Sequence, residues 1–235
     1  MNLLNKLFHP QTLYWLGVDW HLMRMRLLIR LGISRGLRKK PKARFLNIGC
    51  GKNVGLGEDW LNIDGFNPKA DLLCDAARKL PFADNRFEGV FSEHVFEHFT
   101  PGQAKTFLGE CQRILKPDGV IRIIVPDGEL YVKQFHADRK WMIESRWNRF
   151  RTPMEVMNEV FRQGYEHQYT YDYETLALHL QDAGYADIRR ESLKAGAIPE
   201  LLIEQDWRDF ESLYVEARKP GILVTTDTDS TNSQE

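Results

Sequence analysis

The sequence lacks the features that mark membrane-spanning, secreted and nucleic-acid-binding proteins. No apolar run reaches the about 18 residues that mark a membrane span, and the first residues do not follow the charged-then-apolar order of a secretory signal. Three cysteines without CxxC spacing suggest a reducing compartment and no disulfide framework. The 32 basic and 33 acidic side chains leave a net charge of −1, which gives no global attraction to a polyanion. These absences predict a cytoplasmic protein without a nucleic-acid partner.

The composition is that of a soluble globular domain, with one unusual segment at each end. With 235 residues, 43% hydrophobic and 28% charged, the chain fits one domain or one domain with an appendage. In residues 1–43, Leu22, Met25 and Leu28 recur at helical spacing among many cations, which predicts a basic amphipathic helix. This helix either packs on the domain as a lid over the substrate or makes a peripheral contact with the anionic inner face of a membrane. The Thr-, Ser- and Asp-rich residues 221–235 are predicted to form a disordered tail.

The main domain, predicted over residues 44–220, begins with a strand and a Gly-x-Gly turn. Residues 45–48 form a short run of bulky apolar side chains, and Gly49 and Gly51 follow at once. The first glycine permits a tight turn, and the second lets the backbone approach a ligand without a Cβ in between. Asp64, thirteen residues past Gly51, ends a second apolar run and can accept hydrogen bonds from both hydroxyls of a ribose. Taken alone, the pattern fits a nucleotide-like ligand, NAD or a plain tight turn.

The connection after the turn is too short for a typical dinucleotide-binding fold. Gly55 and Gly57 make a long helix unfavourable there, since each costs about 1 kcal/mol relative to alanine in a helix interior. In the dinucleotide fold, a full helix follows the turn and the acidic residue lies about 20 residues on. Strands are predicted at residues 45–48, 60–64, 70–75, 87–92, 120–125, 187–193 and 211–218, and helices at 100–115 and 169–184.

This order of elements predicts an α/β fold, a Rossmann-like, mostly parallel central sheet with helices on both faces. Residues 128–168 are predicted to be a helical insertion that roofs the site. Ligands of such sheets bind outside the carboxyl ends of the strands. Gly49, Asp64, Asp75 and Glu93 all lie at predicted strand ends, so they are expected to converge on one ligand site.

Five motifs together carry a resemblance to a known family. They are Leu-Asn-Ile-Gly-Cys-Gly at 46–51, Trp-Leu-Asn-Ile-Asp at 60–64, Asp75 with Leu-Pro-Phe at 80–82, the run 87–98 and Leu-Lys-Pro-Asp-Gly at 115–119. With these motifs the sequence resembles class I S-adenosylmethionine-dependent methyltransferases of the type 11-like group, which has a short first crossover. The match covers roughly residues 44–130 and, more loosely, 166–218.

The resemblance implies a role in cofactor binding for each matching position. Gly49 and Gly51 are expected to lie against the methionine part of S-adenosylmethionine, and Asp64 to bind the ribose hydroxyls. Asp75 is expected to face the adenine amino group, with Ala76 beside the ring. The full set implied for the cofactor is Asn47, Gly49, Cys50, Gly51, Asp64, Asp75, Ala76, Ser92 and Glu93, of which the last two border the sulfonium end.

The segment after the fourth predicted strand admits three interpretations. His94, Glu97 and His98 match the H-x-x-E-H pattern of inverted zinc peptidases, a metal-dependent hydrolase alternative that needs a long helix. A new helix begins instead at Thr100 and Pro101. Some methyltransferases that modify catechol-like substrates hold a divalent metal through Glu-x-x-Glu-His at this place, but His94 stands where the first Glu would be. We assign no metal ligand from the sequence and favour local hydrogen bonds of Glu97 and His98.

Two histidines are the candidate catalytic residues. His94 follows the strand end and is expected to contact the substrate. His167 lies just before a helix, where the predicted roof meets the site, and an imidazole with a pKa of about 6.5 can accept a proton at neutral pH. A histidine that caps or packs at a helix start explains His167 equally well.

The sequence therefore predicts an S-adenosylmethionine-dependent methyltransferase. The expected acceptor is a small molecule, a sugar or a lipid intermediate, and the lean towards sugars rests on analogy at the level of the fold. A non-catalytic binding or scaffold protein with the same fold is the alternative. Binding of S-adenosylmethionine separates either from an unrelated fold, and turnover separates the enzyme from the scaffold.

Overall fold

The computed structural model describes residues 9–31 and 40–221. The ends of the predicted basic segment and the predicted disordered tail fall largely outside these residues. Within them, the strands agree with the predicted order. They are β1 Phe45–Ile48, β2 Trp60–Asp64, β3 Leu72–Leu73, β4 Phe87–Glu93, β5 Leu115–Pro126, β6 Ala186–Glu191 and β7 Ser212–Arg218.

The described helices lie before the sheet, between its strands and in one long connection after β5. The α-helices are α1 Pro10–Arg30, α2 Pro101–Ile114, α3 Gly128–Ala137, α4 Arg139–Glu144, α5 Pro153–Arg162 and α6 Tyr173–Asp182. Three 3-10 turns accompany them, at Phe96–His98, Pro199–Leu201 and Asp206–Glu211.

The strands of the described residues form one seven-stranded sheet in the order β3-β2-β1-β4-β5-β7-β6. The pairs from β3 to β5 are parallel, and β7 is antiparallel to both β5 and β6. The order reverses between β1 and β4, so connections leave these two strands in opposite directions and open a crevice at their carboxyl ends. The predicted Rossmann-like, mostly parallel α/β fold is confirmed.

Alternation along the strands divides the core into two layers. Leu46 and Ile48 face a large cluster that contains Phe107 and Cys111 of α2 and Leu180 of α6. The neighbouring residue Phe45 points to the opposite face, as the two-residue period of a strand requires. That second face is covered by the connection between β6 and β7, which carries two 3-10 turns, rather than by long α-helices.

Helix α2 begins where the sequence predicts, and for the predicted reason. Thr100 is the N-cap, its hydroxyl accepts from the backbone N–H of Gln103, and Pro101 occupies the first helical position. The Gln103 side chain accepts in turn from the backbone N–H of Thr100, which completes a capping box. This start keeps the preceding 3-10 turn outside the helix.

Helices α3, α4 and α5 pack mainly on one another. Tyr131, Met142, Val156 and Val160 form a separate buried cluster among them. Residues 128–168 are therefore helical, as predicted, but this cluster stands apart from the core of the sheet.

Arg122 in the middle of β5 forms a buried charge cluster with two glutamates. Its side chain is fully buried, and its guanidinium donates to Glu204 Oε1 at 2.7 Å and to Glu216 Oε1 at 2.9 Å. The same group donates to the carbonyl oxygens of Ser192 and Ala195. Arg122 thus ties the connection between β6 and β7 to the face of the sheet.

Candidate active site

A cavity of about 820 Å³ lies at the carboxyl ends of β1, β2, β3 and β4. Its volume falls within the range of about 300–1,000 Å³ found for small-molecule sites. The strand ends contribute Ile48, Gly49, Asp64, Gly65, Cys74, Asp75, Ala76, Ala77, His94 and Val95. Four segments that are distant in sequence therefore meet at the crevice that the sheet topology creates.

The Gly-x-Gly turn after β1 adopts a conformation that favours glycine. Gly49 has φ +68° and Gly51 has φ +50°, both in the left-handed region. A Cβ at Gly49 would lie 2.1 Å from Cγ2 of Val95, so the turn packs directly against the segment after β4. The backbone N–H of Gly49 donates to the Ile63 carbonyl, which keeps the turn beside β2.

Asp64 at the end of β2 lines the cavity and organises the loops around it. Its Oδ2 accepts from the backbone N–H of Gly51 at 2.9 Å. Its Oδ1 accepts from the backbone N–H groups of Phe66 and Asn67 at 2.7 and 2.9 Å. A carboxylate has about four acceptor sites, and these three backbone bonds leave one, which faces only the weak thiol donor of Cys50 at 4.0 Å. A ligand hydroxyl can replace that contact.

Asp75, which follows β3, also lines the cavity, but Arg26 of helix α1 already binds one oxygen of its carboxylate. Its Oδ1 accepts from the backbone N–H of Ala77 at 3.0 Å, and its Oδ2 accepts from the guanidinium of Arg26, with Nε at 3.0 Å. Ala76, predicted to lie beside an adenine ring, lines the same cavity. The Arg26 contact is one that sequence reasoning missed.

Five of the predicted cofactor residues do not line the cavity, namely Asn47, Cys50, Gly51, Ser92 and Glu93. Asn47 is buried and donates to Asn62 Oδ1 at 3.0 Å, and the Ser92 hydroxyl is buried among β-strands. Glu93 accepts from the backbone N–H of Gln205 at 3.0 Å, on the connection between β6 and β7. Cys50 is buried as well. Their predicted roles remain predictions.

Two of these turn residues act on the site through Asp64. The Cys50 Sγ lies 4.0 Å from Asp64 Oδ2. Burial, with the carboxylates of Asp64 and Asp71, raises the pKa of the Cys50 thiol to about 12, so it stays protonated at neutral pH. Gly51 does not line the cavity, but its N–H orients the carboxylate of Asp64.

His94 lines the cavity, and both of its ring nitrogens face protein groups. Nε2 lies 3.1 Å from the hydroxyl of Ser212, and Nδ1 lies 3.4 Å from Oε1 of Glu97. The residue has φ +51°, so the chain turns sharply at this point. In the described conformation neither nitrogen is free to take a proton from a ligand, and a catalytic role of His94 stays a prediction.

His167 lies behind the cavity rather than in its wall. Its Nδ1 lies 2.6 Å from the Val160 carbonyl, and its Nε2 lies 3.8 Å from Oε1 of Glu97. Burial lowers the pKa of His167, although the Glu97 carboxylate raises it. The imidazole is therefore neutral at neutral pH, and its predicted catalytic role has no direct contact with the cavity to support it.

Glu97 is the buried centre of these histidines. Burial raises its pKa, but His94, His98 and His167 outweigh burial and hold the pKa of this carboxyl below its usual range. The segment from Phe96–His98 is a single 3-10 turn, so His94 and His98 do not share a face of one helix. The long helix that an inverted zinc peptidase needs is not formed by this segment.

Helix α1 supplies much of the cavity wall, which is one of the two positions that the sequence left open for the basic segment. Trp15, Val18, Asp19 and Leu22 line the cavity at the spacing i, i+3, i+4 and i+7, which puts them on one face of the helix. This spacing is visible in the sequence and indicates which face of the helix turns towards the cavity. From residues 128–168, only Glu166 and Gln168 line the cavity, and both lie after the end of α5, so the three helices themselves do not roof the site.

Arg26 holds α1 to Asp75 after β3, and two further contacts hold α1 to the loop after β2. His21 Nε2 lies 2.7 Å from the Gly65 carbonyl, and the His21 ring stacks on Phe66 with centroids 4.9 Å apart.

Among the described residues, no helix combines the length and the apolarity needed to cross a bilayer.

Comparison with known proteins gives a match in the part of the chain that contains three strands of the sheet. A family model described as a methyltransferase domain matches residues 57–123, which include β2, β3, β4 and the Glu97 turn. The matched residues, somewhat more than a quarter of the chain, are thus similar to a methyltransferase domain. S-adenosylmethionine is the cofactor of such a domain.

One curated relative of the methyltransferase domain is a ubiquinone/menaquinone biosynthesis C-methyltransferase from Desulfotalea psychrophila. It is 35% identical over 86 residues, which cover 37% of this chain and 26% of the relative. The match thus spans about a quarter of the length of that protein.

Two solved structures illustrate what the methyltransferase domain is similar to. A methyltransferase of Haloferax volcanii, solved in complex with the Trm112 activator, is 17% identical with a TM-score of 0.48, covering 86% of this chain and 97% of that one. A SAM-dependent methyltransferase from Archaeoglobus fulgidus is 18% identical with a TM-score of 0.43, covering 81% and 94%.

Proposed function

We propose that this protein transfers the methyl group of S-adenosylmethionine to a small acceptor with an apolar part, such as a lipid-linked saccharide or another lipid intermediate. The observation that carries the proposal is the meeting of Gly49, Asp64 and Asp75 in one cavity at the point where the strand order reverses. When bound, the cofactor supplies a methyl group on a positively charged sulfur, which is activated for attack by an acceptor atom.

The chain's own residues fit such a cofactor. Asp64 keeps one acceptor site after its three backbone bonds, which suits a ribose hydroxyl. Ala76 and Ala77 offer a flat apolar wall beside Asp75, which suits a purine ring. Asp75 can take an adenine amino group fully only when Arg26 of α1 releases it.

The rest of the cavity supports an acceptor with both apolar and polar parts. Trp15, Leu22 and Phe99 give apolar surface, and Gln103 and Gln168 give polar groups at the same opening. We assign His94 to acceptor contact, because it lines the cavity next to the Gly49 turn. No nucleic-acid substrate is proposed, since the net charge is −1.

Titration calorimetry with S-adenosylhomocysteine and S-adenosylmethionine tests the proposal. The purified protein is expected to bind both, and Asp64→Ala is expected to weaken binding about 5- to 150-fold, because a lost hydrogen-bonding partner costs about 1–3 kcal/mol. Asp59→Ala is the control, because it also removes one carboxylate, an exposed one next to the opposite end of β2 and outside the cavity. That control should bind like the unmodified protein.

Absence of binding up to millimolar ligand would refute the methyltransferase proposal, and equal weakening by both variants would refute the ribose assignment. Release of S-adenosylhomocysteine during incubation with free and lipid-linked saccharides then separates an enzyme from a scaffold that only binds. Turnover with soluble saccharides alone would remove the lipid part of the proposal.

The outward side of α1 supports a peripheral position at an anionic membrane. Leu16, Trp20, Met23 and Leu27 are each at least half exposed and recur at i, i+4, i+7 and i+11, which makes one apolar stripe. Residues 1–43 contain nine lysines and arginines and one aspartate. An apolar stripe within a basic segment has the chemistry of a helix that lies on an anionic lipid surface.

Co-sedimentation with vesicles of phosphatidylglycerol and phosphatidylcholine tests this contact. The full chain is expected to pellet at low salt and less at high salt, because salt screens the attraction of the basic segment. Trp20→Ser/Leu27→Ser should pellet less at both salt concentrations. Trp147→Ser is the control, since Trp147 and Trp20 are both 61% exposed but Trp147 lies outside α1. Complete recovery of the protein in the supernatant at both salt concentrations would exclude the membrane contact.

A further inference from the structure

Glu97 is a fully buried carboxylate whose oxygens lack hydrogen-bond donors. The residue is 2% exposed, and within the described residues neither Oε1 nor Oε2 has a hydrogen-bond partner. Buried charges in proteins are paired or coordinate metals, because an unpaired buried charge has lost the hydration that stabilises an ion in water. The surroundings of Glu97 must therefore supply positive charge.

Three imidazole nitrogens converge on the same oxygen of Glu97. Nδ1 of His94 lies 3.4 Å from Oε1, Nε2 of His167 lies 3.8 Å from it, and Nε2 of His98 lies 4.0 Å from it. A ligand atom from each of Glu97, His98 and His167 lies within 4.8 Å of the others. The rings of His98 and His167 meet edge to face, with centroids 4.9 Å apart.

The hydrogen bonds behind two of these rings fix which nitrogen carries the proton. A carbonyl only accepts, so His167 donates from Nδ1 to Val160 and turns an unprotonated Nε2 towards Glu97. Ser212 donates its hydroxyl proton to the Arg208 carbonyl at 2.8 Å, so it accepts from Nε2 of His94. Neutral His94 then also turns a lone pair towards Glu97.

In this arrangement the lone pairs of Nε2 of His167 and Nδ1 of His94 point towards the ionised carboxylate of Glu97. This is repulsive unless a cation lies between them. A proton on Nδ1 of His94 would pair with one oxygen of Glu97. It would leave the lone pair of His167 without a partner, 3.8 Å from the same carboxylate. A histidine that donates its outer N–H to a backbone carbonyl, as His167 does, is the usual form of a histidine metal ligand.

We propose that Glu97, His98 and His167 bind a divalent transition-metal ion of the zinc type, with His94 beside it. This site goes beyond the proposed methyl transfer and does not depend on it. Imidazole and carboxylate are ligands that suit zinc and its neighbours in the first transition series.

The spacing requires little movement to bind such an ion. Two ligand atoms, each about 2.1 Å from a tetrahedral zinc ion, lie about 3.4 Å apart. Nε2 of His167 and Nε2 of His98 lie 3.8 and 4.0 Å from Oε1 of Glu97, so each needs to approach this oxygen by a few tenths of an ångström, and the ligand atoms of all three residues already lie within 4.8 Å of one another. His98 is one-third exposed and lines the cavity, which gives the ion a path inwards.

Three protein ligands leave a coordination position, as in catalytic rather than structural zinc sites. His98 lines the cavity that we assign to the cofactor and acceptor, so an open position beside His98 would be within reach of an acceptor. An acceptor oxygen bound there would lose its proton more readily, because a bound metal ion lowers the pKa of oxygen ligands. This last step rests on the proposed function, whereas the metal site does not.

Cobalt uptake by the full-length, chelator-treated protein tests the site without any assay of activity. We expect one Co²⁺ per chain, with the visible absorption of cobalt bound by nitrogen and oxygen, and displacement of that absorption by Zn²⁺. Glu97→Gln, His98→Gln and His167→Gln should each weaken Co²⁺ binding by about 100-fold or more, since even the outer partners of metal ligands contribute about 10- to 100-fold. His136→Gln is the control, because His136 is exposed on α3, outside this cluster.

The variants also distinguish a metal site from a metal-free cluster in which protonated histidines neutralise Glu97. Circular dichroism and S-adenosylhomocysteine binding check the fold, and the partly exposed His98→Gln carries the test where a buried substitution unfolds the protein. Wild-type protein that shows no cobalt absorption, or a His98→Gln variant that binds cobalt as tightly as wild type, would overturn the proposal. Cobalt uptake without S-adenosylhomocysteine binding would support the metal site and refute the proposed methyl transfer.

Discussion

Replacement of Arg122 by methionine is expected to lower the free energy of unfolding by about 3–5 kcal/mol, because it leaves two buried carboxylates without their partner. Arg122 and Glu204 are completely buried, and Glu216 is nearly so. The guanidinium also satisfies the carbonyl oxygens of Ser192 and Ala195. The substitution therefore removes the contacts that hold the connection between β6 and β7 to the sheet.

Urea denaturation followed by circular dichroism measures this effect. Arg151→Met is the matched control, because Arg151 forms an exposed ion pair with Glu155, and such pairs contribute about 0–1 kcal/mol. Adding Glu204→Gln and Glu216→Gln to Arg122→Met should restore part of the stability, because the amides remain acceptors but carry no charge. A loss with Arg122→Met no larger than that of the control would contradict a dominant role for this cluster.

The substitution Gly49→Ala is expected to abolish measurable S-adenosylhomocysteine binding and to lower stability. Two costs add at this position. Left-handed backbone costs a residue with a Cβ about 1–2 kcal/mol, and Gly49 has φ +68°. The new Cβ would also lie 2.1 Å from Val95 Cγ2, a distance that real contacts do not reach, so the turn must move.

Gly51→Ala separates these two costs. Gly51 has φ +50°, but a Cβ there would meet only the Gly49 carbonyl, at 3.9 Å. It should therefore lose stability through backbone strain alone and keep more of its ligand affinity. The double variant Gly49→Ala/Val95→Ala should recover binding relative to Gly49→Ala. Equal affinities of the two glycine variants, measured by calorimetry, would show that the contact with Val95 does not position the turn.

The strands could be predicted well where burial and alternation agree. β1 and β2 have the predicted bounds, because their short apolar runs are buried on both faces. β3 is shorter than predicted, with only Leu72–Leu73 in the ladder. The reason is a side chain, since the Asp71 carboxylate accepts the backbone N–H of Asn62 that a longer β3 would have bonded. Hydropathy does not report such a competition.

The site could be predicted as far as the strand ends define it. Gly49, Asp64 and Asp75 meet in the cavity because the carboxyl ends of parallel strands share one edge of the sheet. The sequence left two positions open for α1, over the cavity or at a membrane, since its approach to the cavity depends on long-range contacts such as that of Arg26 with Asp75. The same limit applies to the cluster around Glu97, which was expected to make only local hydrogen bonds.

His167 reaches that cluster through backbone pairing that no local pattern reveals. The carbonyl of Glu97 accepts from the backbone N–H groups of Gln168 and Tyr169 at 2.8 and 3.2 Å. These bonds bring a residue seventy positions away beside the turn after β4. Sequence spacing identified the histidines as candidates, but only the tertiary fold gives them a common partner.

The two outer strands of the sheet also determine how the domain behaves beside copies of itself. Within the described residues, one outer strand is β3, with two residues, and the other is β6. β6 is irregular between Ala186 and Arg189, and it carries Asp187, Arg189 and Arg190 along a mostly exposed stretch. A short strand and a charged, bulged strand are both poor templates for the addition of another strand. The sheet is thereby protected against open-ended growth from chain to chain, and this protection should keep the protein dispersed at the high local concentrations found on a surface.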